Sequence, residues 1–333
     1  YYDSVHRHAS RTPRMIGESD DMDVLIVGSI AYDSITSPQG SAHNTLGGSA
    51  TYAGLAASFH QRRLNLERIG LVGVVGTDFR HQDFATFSNA GLDTTGVEVV
   101  EGSTFHWVGS YHGNMAQAET HETHLNVFET FEPKVPEHGA SSTITFCANL
   151  HPSIQLSVLD QSSPTRASIL DSMNLWINIA KEELIQAMQR VDIVVINDGE
   201  AMMLSGKDNL VQAAKDVQSM ASIPTLVIKK GEHGVLALHG DDVLALPAFP
   251  TDLVVDPTGC GDTFAGTLAT YLAAGSGPIA IDELRNALIH ATVSASFTLQ
   301  GFGIKGLQSM TLESYEQRLN EYISISGTSV DTT

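Results

Sequence analysis

The residues best suited to chemistry lie in one stretch, Asp256-Pro257-Thr258-Gly259-Cys260-Gly261-Asp262-Thr263-Phe264-Ala265-Gly266. It follows the apolar Leu253-Val254-Val255 and leads into small and apolar residues through Ala274, a run that suits a buried helix. Glycines at such a junction permit a sharp turn and let an anion approach backbone N–H groups. A helix N-terminus adds partial positive charge there. Asp262 then puts a carboxylate beside the place where an anion should sit. A base for an attacking hydroxyl, next to donors for the transferring group, is what phosphoryl transfer needs. The same residues also read as a tight turn with Asp262 capping the helix. Spacing alone leaves both readings open.

Other polar groups stand at strand ends. Asp33 follows the first apolar run in Gly28-Ser29-Ile30-Ala31-Tyr32-Asp33, and Gly47-Gly48 precedes small, helix-compatible residues. Asn197-Asp198-Gly199-Glu200 reads equally as a strand-end turn with a helix start. Lys229-Lys230-Gly231-Glu232-His233-Gly234 closes another strand, where a lysine is ordinarily a solvated end. His106, His112, His121 and His124 lack zinc-type spacing and read as surface or substrate-facing groups.

These groups need a scaffold. Buried strands are expected at 24–28, 71–75, 143–148, 167–171, 191–196, 224–229 and 234–239. Helices are expected at 47–59, 80–90, 152–161, 181–190, 198–205 and 208–221, with long ones starting near Gly261 and Ile281. Repeated strand–helix units argue for an α/β fold, a mostly parallel sheet flanked by helices. Residues 97–133 alternate and are rich in Thr, Val and aromatic residues, which predicts an antiparallel sheet. With the 31–46 flap, this would form a small lid. Residues 1–22 read as a flexible polar arm without the apolar core of a secretory signal, 23–324 as the folded domain, and 325–333 as a loose tail.

The chain has 333 residues and a formal charge of −20, from 38 acidic and 18 basic side chains. That balance argues against nucleic acid and anionic membranes as partners. Cys147 and Cys260 cannot build a disulfide framework, and no apolar run approaches the roughly 20 residues of a membrane span. A cytoplasmic setting is expected.

Taken together, the motifs resemble those of the ribokinase-like, or PfkB, carbohydrate kinases. The 256–266 stretch looks like their glycine-rich signature, Gly47-Gly48-Ser49-Ala50 like their double-glycine motif, Asn197 to Glu200 like their N-x-x-E element, and Lys229 to Gly234 like their K-x-G-x-x-G segment. All four occur in the family's order over about residues 23–320. The resemblance implies a ribokinase-like fold, a Rossmann-like sheet with a small β-sheet lid. It also implies transfer of the γ-phosphate of ATP to an alcohol, with Mg²⁺. Asp262 would be the base, and the N–H groups of Gly259, Cys260 and Gly261 the anion hole. Asn197, Glu200, Lys229, Gly231, Gly234 and Gly301 would serve ATP and its metal, Glu200 through metal-bound water. Asp256, Thr258 and Gly303 would hold a monovalent cation such as K⁺. Asp33, Gly47, Gly48, Asn149 and Asn174 would face the acceptor.

A sugar or polyol is the first expectation for that acceptor, with a nucleoside or a non-catalytic, nucleotide-binding role as alternatives. A homodimer through the lid rests on the same analogy. Two departures stand out. Tyr52 occupies a position where the family usually carries Asn, so that substrate contact is absent or altered. Cys260 replaces the usual Ala, and a thiol at a helix N-terminus is open to ionisation.

Overall fold

The structure, a computed structural model, describes residues 21–115 and 117–329. Apart from residues 21 and 22, the expected N-terminal arm lies outside the described residues. Met22 is buried, and its N–H donates to the His138 carbonyl at 2.8 Å. The folded chain therefore begins before residue 23.

Thirteen strands form two sheets among the described residues. They are β1 (Val24–Val27), β2 (Ala31–Ser37), β3 (Gly40–Gly47), β4 (Ile69–Gly76), β5 (Asp93–Val100), β6 (Phe105–Tyr111) and β7 (Ala118–His124). The others are β8 (Ile144–Cys147), β9 (Ala167–Asp171), β10 (Ile193–Asn197), β11 (Thr225–Lys229), β12 (Val235–His239) and β13 (Asp242–Leu246). The large sheet has the order β13-β12-β11-β10-β9-β8-β1-β4-β5 and is parallel except at the β11–β12–β13 edge. Its central strands are apolar on both faces, as Val24-Leu25-Ile26-Val27 shows, because helices cover both sides. Helices Ser49–Gln61, Cys260–Ala273 and Ile281–Thr298 contribute Tyr52, Phe264 and Leu288 to one core. Helices Pro152–Gln161, Lys181–Met188, Asp198–Ser205 and Leu210–Met220 contribute Val158, Leu184, Ala201 and Ala213 to the other.

The lid has the order β3-β2-β6-β7. Two expectations change here. β5 pairs parallel with β4 in the large sheet, so residues 97–100 are not lid; Asn126–Thr130 is a 3₁₀ turn. The lid is also mixed, since β2 and β6 run parallel. Its chain leaves after β3 for helix Ser49–Gln61, β4 and β5, and re-enters in the direction of β2. At the other end, helix Leu312–Ser326 runs into the expected loose tail and is capped by Gly327 in the left-handed conformation. Residues 330–333 lie outside the described residues.

Strand order reverses at β8-β1-β4, and ligands of open α/β sheets sit beyond the strand ends at such a switch point. Two helices aim their N-termini there. Helix Ser49–Gln61 crosses helix Cys260–Ala273 so closely that a Cβ at Gly266 would lie 2.4 Å from the Ala53 carbonyl oxygen. Gly266→Ala must push these helices apart, and overpacking of this kind costs about 1–3 kcal/mol. A urea titration of the variant should show that loss, with its m-value unchanged.

Candidate active site

The glycine-rich signature forms the turn into helix Cys260–Ala273. Gly259 is its N-cap at φ 80°, and a Cβ there would lie 2.3 Å from the Tyr52 ring. A Cβ on Gly261 would lie 2.8 Å from the Lys229 Nζ. The ammonium therefore rests against the backbone of the turn. Among the described residues, the N–H groups of Gly259 and Gly261 meet no protein acceptor. The Cys260 N–H is different: it donates to the Pro257 carbonyl at 3.1 Å. The expected three-donor hole thus has two open backbone donors and a lysine. The Cys260 thiol points toward the Ala295 carbonyl at 3.6 Å, and burial pushes its pKa well up. Burial outweighs the helix N-terminus, so the expected ease of ionisation is not found.

Asp33 arrives from the lid. Its carboxylate faces the Gly48 N–H and lies over Gly47, where a Cβ would fall 1.9 Å from Oδ2. Gly48 is at φ 94°, with its Cβ position 2.4 Å from the Ser29 carbonyl oxygen. The two glycines therefore make room for Asp33 and the β1–β2 loop. Burial, then the charges of Asp256 and Asp262, raise Asp33 to about 8. Asp262 is raised to about 7 by burial and then by Asp171, against the pull of Lys229. Glu200 is also raised to about 7, chiefly by burial.

Asn197 and Glu200 form a capping box on helix Asp198–Ser205. Asn197 N–H and Nδ2 each donate to Glu200 at 2.7 Å, and Asn197 Oδ1 accepts the Glu200 N–H at 2.8 Å. The helix-start reading of this motif is therefore realised, and Glu200 stays buried beside the site. Asn197 is the sheet neighbour of Lys229 in the β10–β11 register.

Lys229 is not a solvated strand end. Its Nζ donates to Asp171 Oδ2 at 3.0 Å and Oδ1 at 3.2 Å, and Asp171 is buried at the end of β9. The charges of Asp171, Glu200 and Asp262 hold the lysine charged against the penalty of burial. Asp171 was not among the expected site residues. The available signal was a lone acid closing an otherwise apolar strand, Ala167-Ser168-Ile169-Leu170-Asp171.

Asp256, Thr258 and Gly303 do come together. Asp256 accepts the Thr258 N–H at 2.9 Å and the Gly303 N–H at 3.0 Å, tying the signature to the loop after helix Ile281–Thr298. Gly301 packs in that loop, its Cβ position 2.8 Å from the Gly306 nitrogen. Gly231 is open, whereas Gly234 abuts β13, with its Cβ position 2.0 Å from the Leu246 carbonyl oxygen. Asn149 lies past β8, where its Oδ1 accepts the Trp176 indole N–H at 2.8 Å and its amide meets the Met173 sulfur. Asn174 is exposed at the start of helix Asn174–Ile179. The lid histidines gather in pairs, His106 with His124 and His112 with His121 about Ser110. Among the described residues, no group of three or more His, Cys, Asp or Glu side chains is placed to hold a metal ion.

The lid is down. Ser37 donates to the Val255 carbonyl at 2.7 Å, and Thr258 donates to the Tyr111 hydroxyl at 3.1 Å. Ile35, Tyr111 and Met115 pack with Trp107, Val254 and Phe302 behind these bonds.

A mostly parallel sheet, a small lid sheet, and a carboxylate beside open helix-N-terminal donors give the plan of the ribokinase fold. Residues 21–308 match the pfkB family carbohydrate kinase, and the chain belongs to that family. A cytidine kinase from Thermococcus kodakarensis is 30% identical over 250 residues, covering 74% of this chain and 86% of that protein. A nucleoside kinase from Burkholderia thailandensis in complex with inosine superposes with TM-score 0.71 at 19% identity, covering 90% of this chain and 99% of that one. Fructokinase from Vibrio cholerae O395, bound to fructose, ADP and calcium, gives TM-score 0.71 at 16% identity, with 90% and 100% covered. The two structural likenesses establish the fold.

The raised Asp262 predicts a pH limb. A base works deprotonated, so if Asp262 is the one, kcat/KM should rise with pH through about 7. The sign for stability is opposite. A folded pKa above the usual 3.8 means that the contribution is full below that value and is lost as pH rises through about 7. Asp262→Asn should therefore abolish turnover and raise Tm at pH 8, with the gain shrinking toward pH 4. Lys229→Met should cut kcat/KM by about 10²-fold and destabilise the fold by stranding Asp171. Adding Asp171→Asn to that variant should restore Tm but not activity.

Proposed function

We propose that this chain is an ATP-dependent nucleoside kinase. The observation that carries phosphoryl transfer is Asp262 beside the open N–H groups of Gly259 and Gly261 and the Lys229 ammonium, with Asp33 above. The acceptor class is supported by the 30% identity to a cytidine kinase over 86% of that protein. The lid agrees: Ile35, Trp107 and Tyr111, packed here with Val254 and Phe302, would offer an apolar and aromatic surface to a flat base when the lid lifts. A sugar or polyol is the second reading, favoured by the family's description as carbohydrate kinases. A non-catalytic relative is disfavoured, since Asp262, Gly259 and Gly261 are all present.

The charge around the turn suits a nucleotide accompanied by a divalent ion. Asp171, Glu200 and Asp262 surround a single Lys229, so a triphosphate needs added positive charge. Glu200 and Asn197 would take the Mg²⁺ side through water, and Lys229 the phosphates. Asp256, Thr258 and Gly303 would border the K⁺ site. The nucleotide supplies the γ-phosphoryl group, and the metal neutralises its charge. Asp262 takes the proton of the acceptor hydroxyl. The N–H groups of Gly259 and Gly261 meet the developing negative charge, at a helix end that reinforces them. The lid excludes water from this exchange.

ADP release with Mg-ATP and K⁺, across cytidine, other nucleosides, sugars and polyols, tests the reading. Nucleoside-dependent turnover is expected, faster in K⁺ than in a bulky organic cation. Turnover with sugars alone would replace the acceptor class, and none with any acceptor would remove the catalytic reading.

A further inference from the structure

A groove of about 510 Å³ lies between the lid and the main body, lined by no residue of the 256–266 stretch. Lid strand β3, an edge of the small sheet, supplies Ser41 and His43 to one wall. The body supplies Arg80, Lys305 and Gln308 to the other. Arg80 is held firmly. Its guanidinium lies over the Tyr32 ring at 4.3 Å, and its Nε donates to the Tyr32 hydroxyl at 3.1 Å and to Asp83 at 2.6 Å. These bonds use Nε alone, so among the described residues its two Nη groups meet no protein acceptor. The exposed Lys305 ammonium meets none either. Asp83 also lines the groove, but its Oδ2 is already shared by Arg80 and the Tyr32 hydroxyl. The lining therefore carries a local excess of positive charge on a chain of net charge −20. Leu46 and Ile304 give it an apolar floor.

We propose that this groove is a regulatory site for a small organic anion, a phosphate ester or a carboxylate, which bonds Arg80 and Lys305 on the body and Ser41 and His43 on the lid and so holds the lid down. Bonds from a guanidinium and an ammonium to an anionic head are charge-assisted, roughly twice as strong as neutral ones. The apolar floor takes the organic body. Opening the lid parts the two walls, so only the closed form offers the complete site. A ligand shifts such an equilibrium by its difference in affinity for the two states. The path to the acceptor side is short, because Arg80 bonds Tyr32 and the next residue on β2 is Asp33. Anion and acceptor then favour the same closed form, and each tightens the binding of the other. The site and the closure do not depend on the kinase reading; the effect on acceptor KM does.

Glycerol 3-phosphate and succinate are the probes, one a phosphate ester and one a carboxylate, against sodium chloride at equal ionic strength. Calorimetry and Tm report binding. Trp107, which packs on the apolar cluster at the lid seam, reports closure by its emission in a Trp176→Phe background. At least one probe should bind, raise Tm, shift Trp107 emission and lower acceptor KM about fivefold. Lys305→Gln and His43→Glu change exposed side chains, so both should keep the wild-type Tm without probe. Both should weaken probe binding about tenfold or more, the loss expected for a charge-assisted bond. The probe that binds identifies the head group. Binding of neither probe, or binding that both variants retain, overturns the site. Binding that leaves Trp107 emission unchanged overturns the closure. A wild type inactive with every acceptor overturns the kinase reading alone, and the binding and emission results still decide the inference.

Discussion

At the floor of the site one ammonium faces three carboxylates. Lys229 is bound by Asp171, feels Glu200 and Asp262, and rests against Gly261. Burial keeps Asp262 and Glu200 half-protonated near neutrality, and the single lysine limits how far they rise. The rest of the structure serves this balance. The parallel strands β9, β10 and β11 end side by side and deliver Asp171, Asn197 with Glu200, and Lys229 to one edge. The packed helix pair brings the signature turn onto them. Such a site is held together by the surrounding fold rather than by its own charges, a cost in stability that active sites commonly carry.

The glycines show how the same residue type meets different demands. At Gly261 the missing side chain admits a lysine, and at Gly259 an aromatic ring. At Gly47 it admits a carboxylate from the neighbouring strand β2. None of these partners lies nearby in sequence. Only the fold reveals what each glycine makes room for.

Much of the scaffold was legible because its signals are local. Helices 152–161 and 198–205 start and stop where Pro152 and Asn197 and the following breaks place them. The central strands announce themselves as short apolar runs. What the sequence hid depends on pairing over distance. β5 is Thr- and Val-rich and mostly half-buried, and reads like a lid strand until β4 is seen beside it. β13 was passed over because only Leu244 and Leu246 of its five residues are buried. At the site, the motif residues of the signature, Asp33, Glu200 and Lys229 do gather, whereas Asn149 is engaged by Trp176 and Asn174 faces solvent. The partner of Asp171 lies 58 positions away.

The lid bonds have a kinetic side. Ser37 on Val255 and Tyr111 on Thr258 tie the small sheet to the signature segment, with an apolar cluster behind them. If an acceptor enters beneath the lid, it must wait for these bonds to break. Capture at high concentration then runs at the speed of the lid rather than of diffusion, and observed rates level off instead of rising in proportion to ligand. Apparent affinity is reduced by the fraction of time the entrance stands open. Loosening the latch would quicken entry, and would equally shorten the time that a captured molecule is kept.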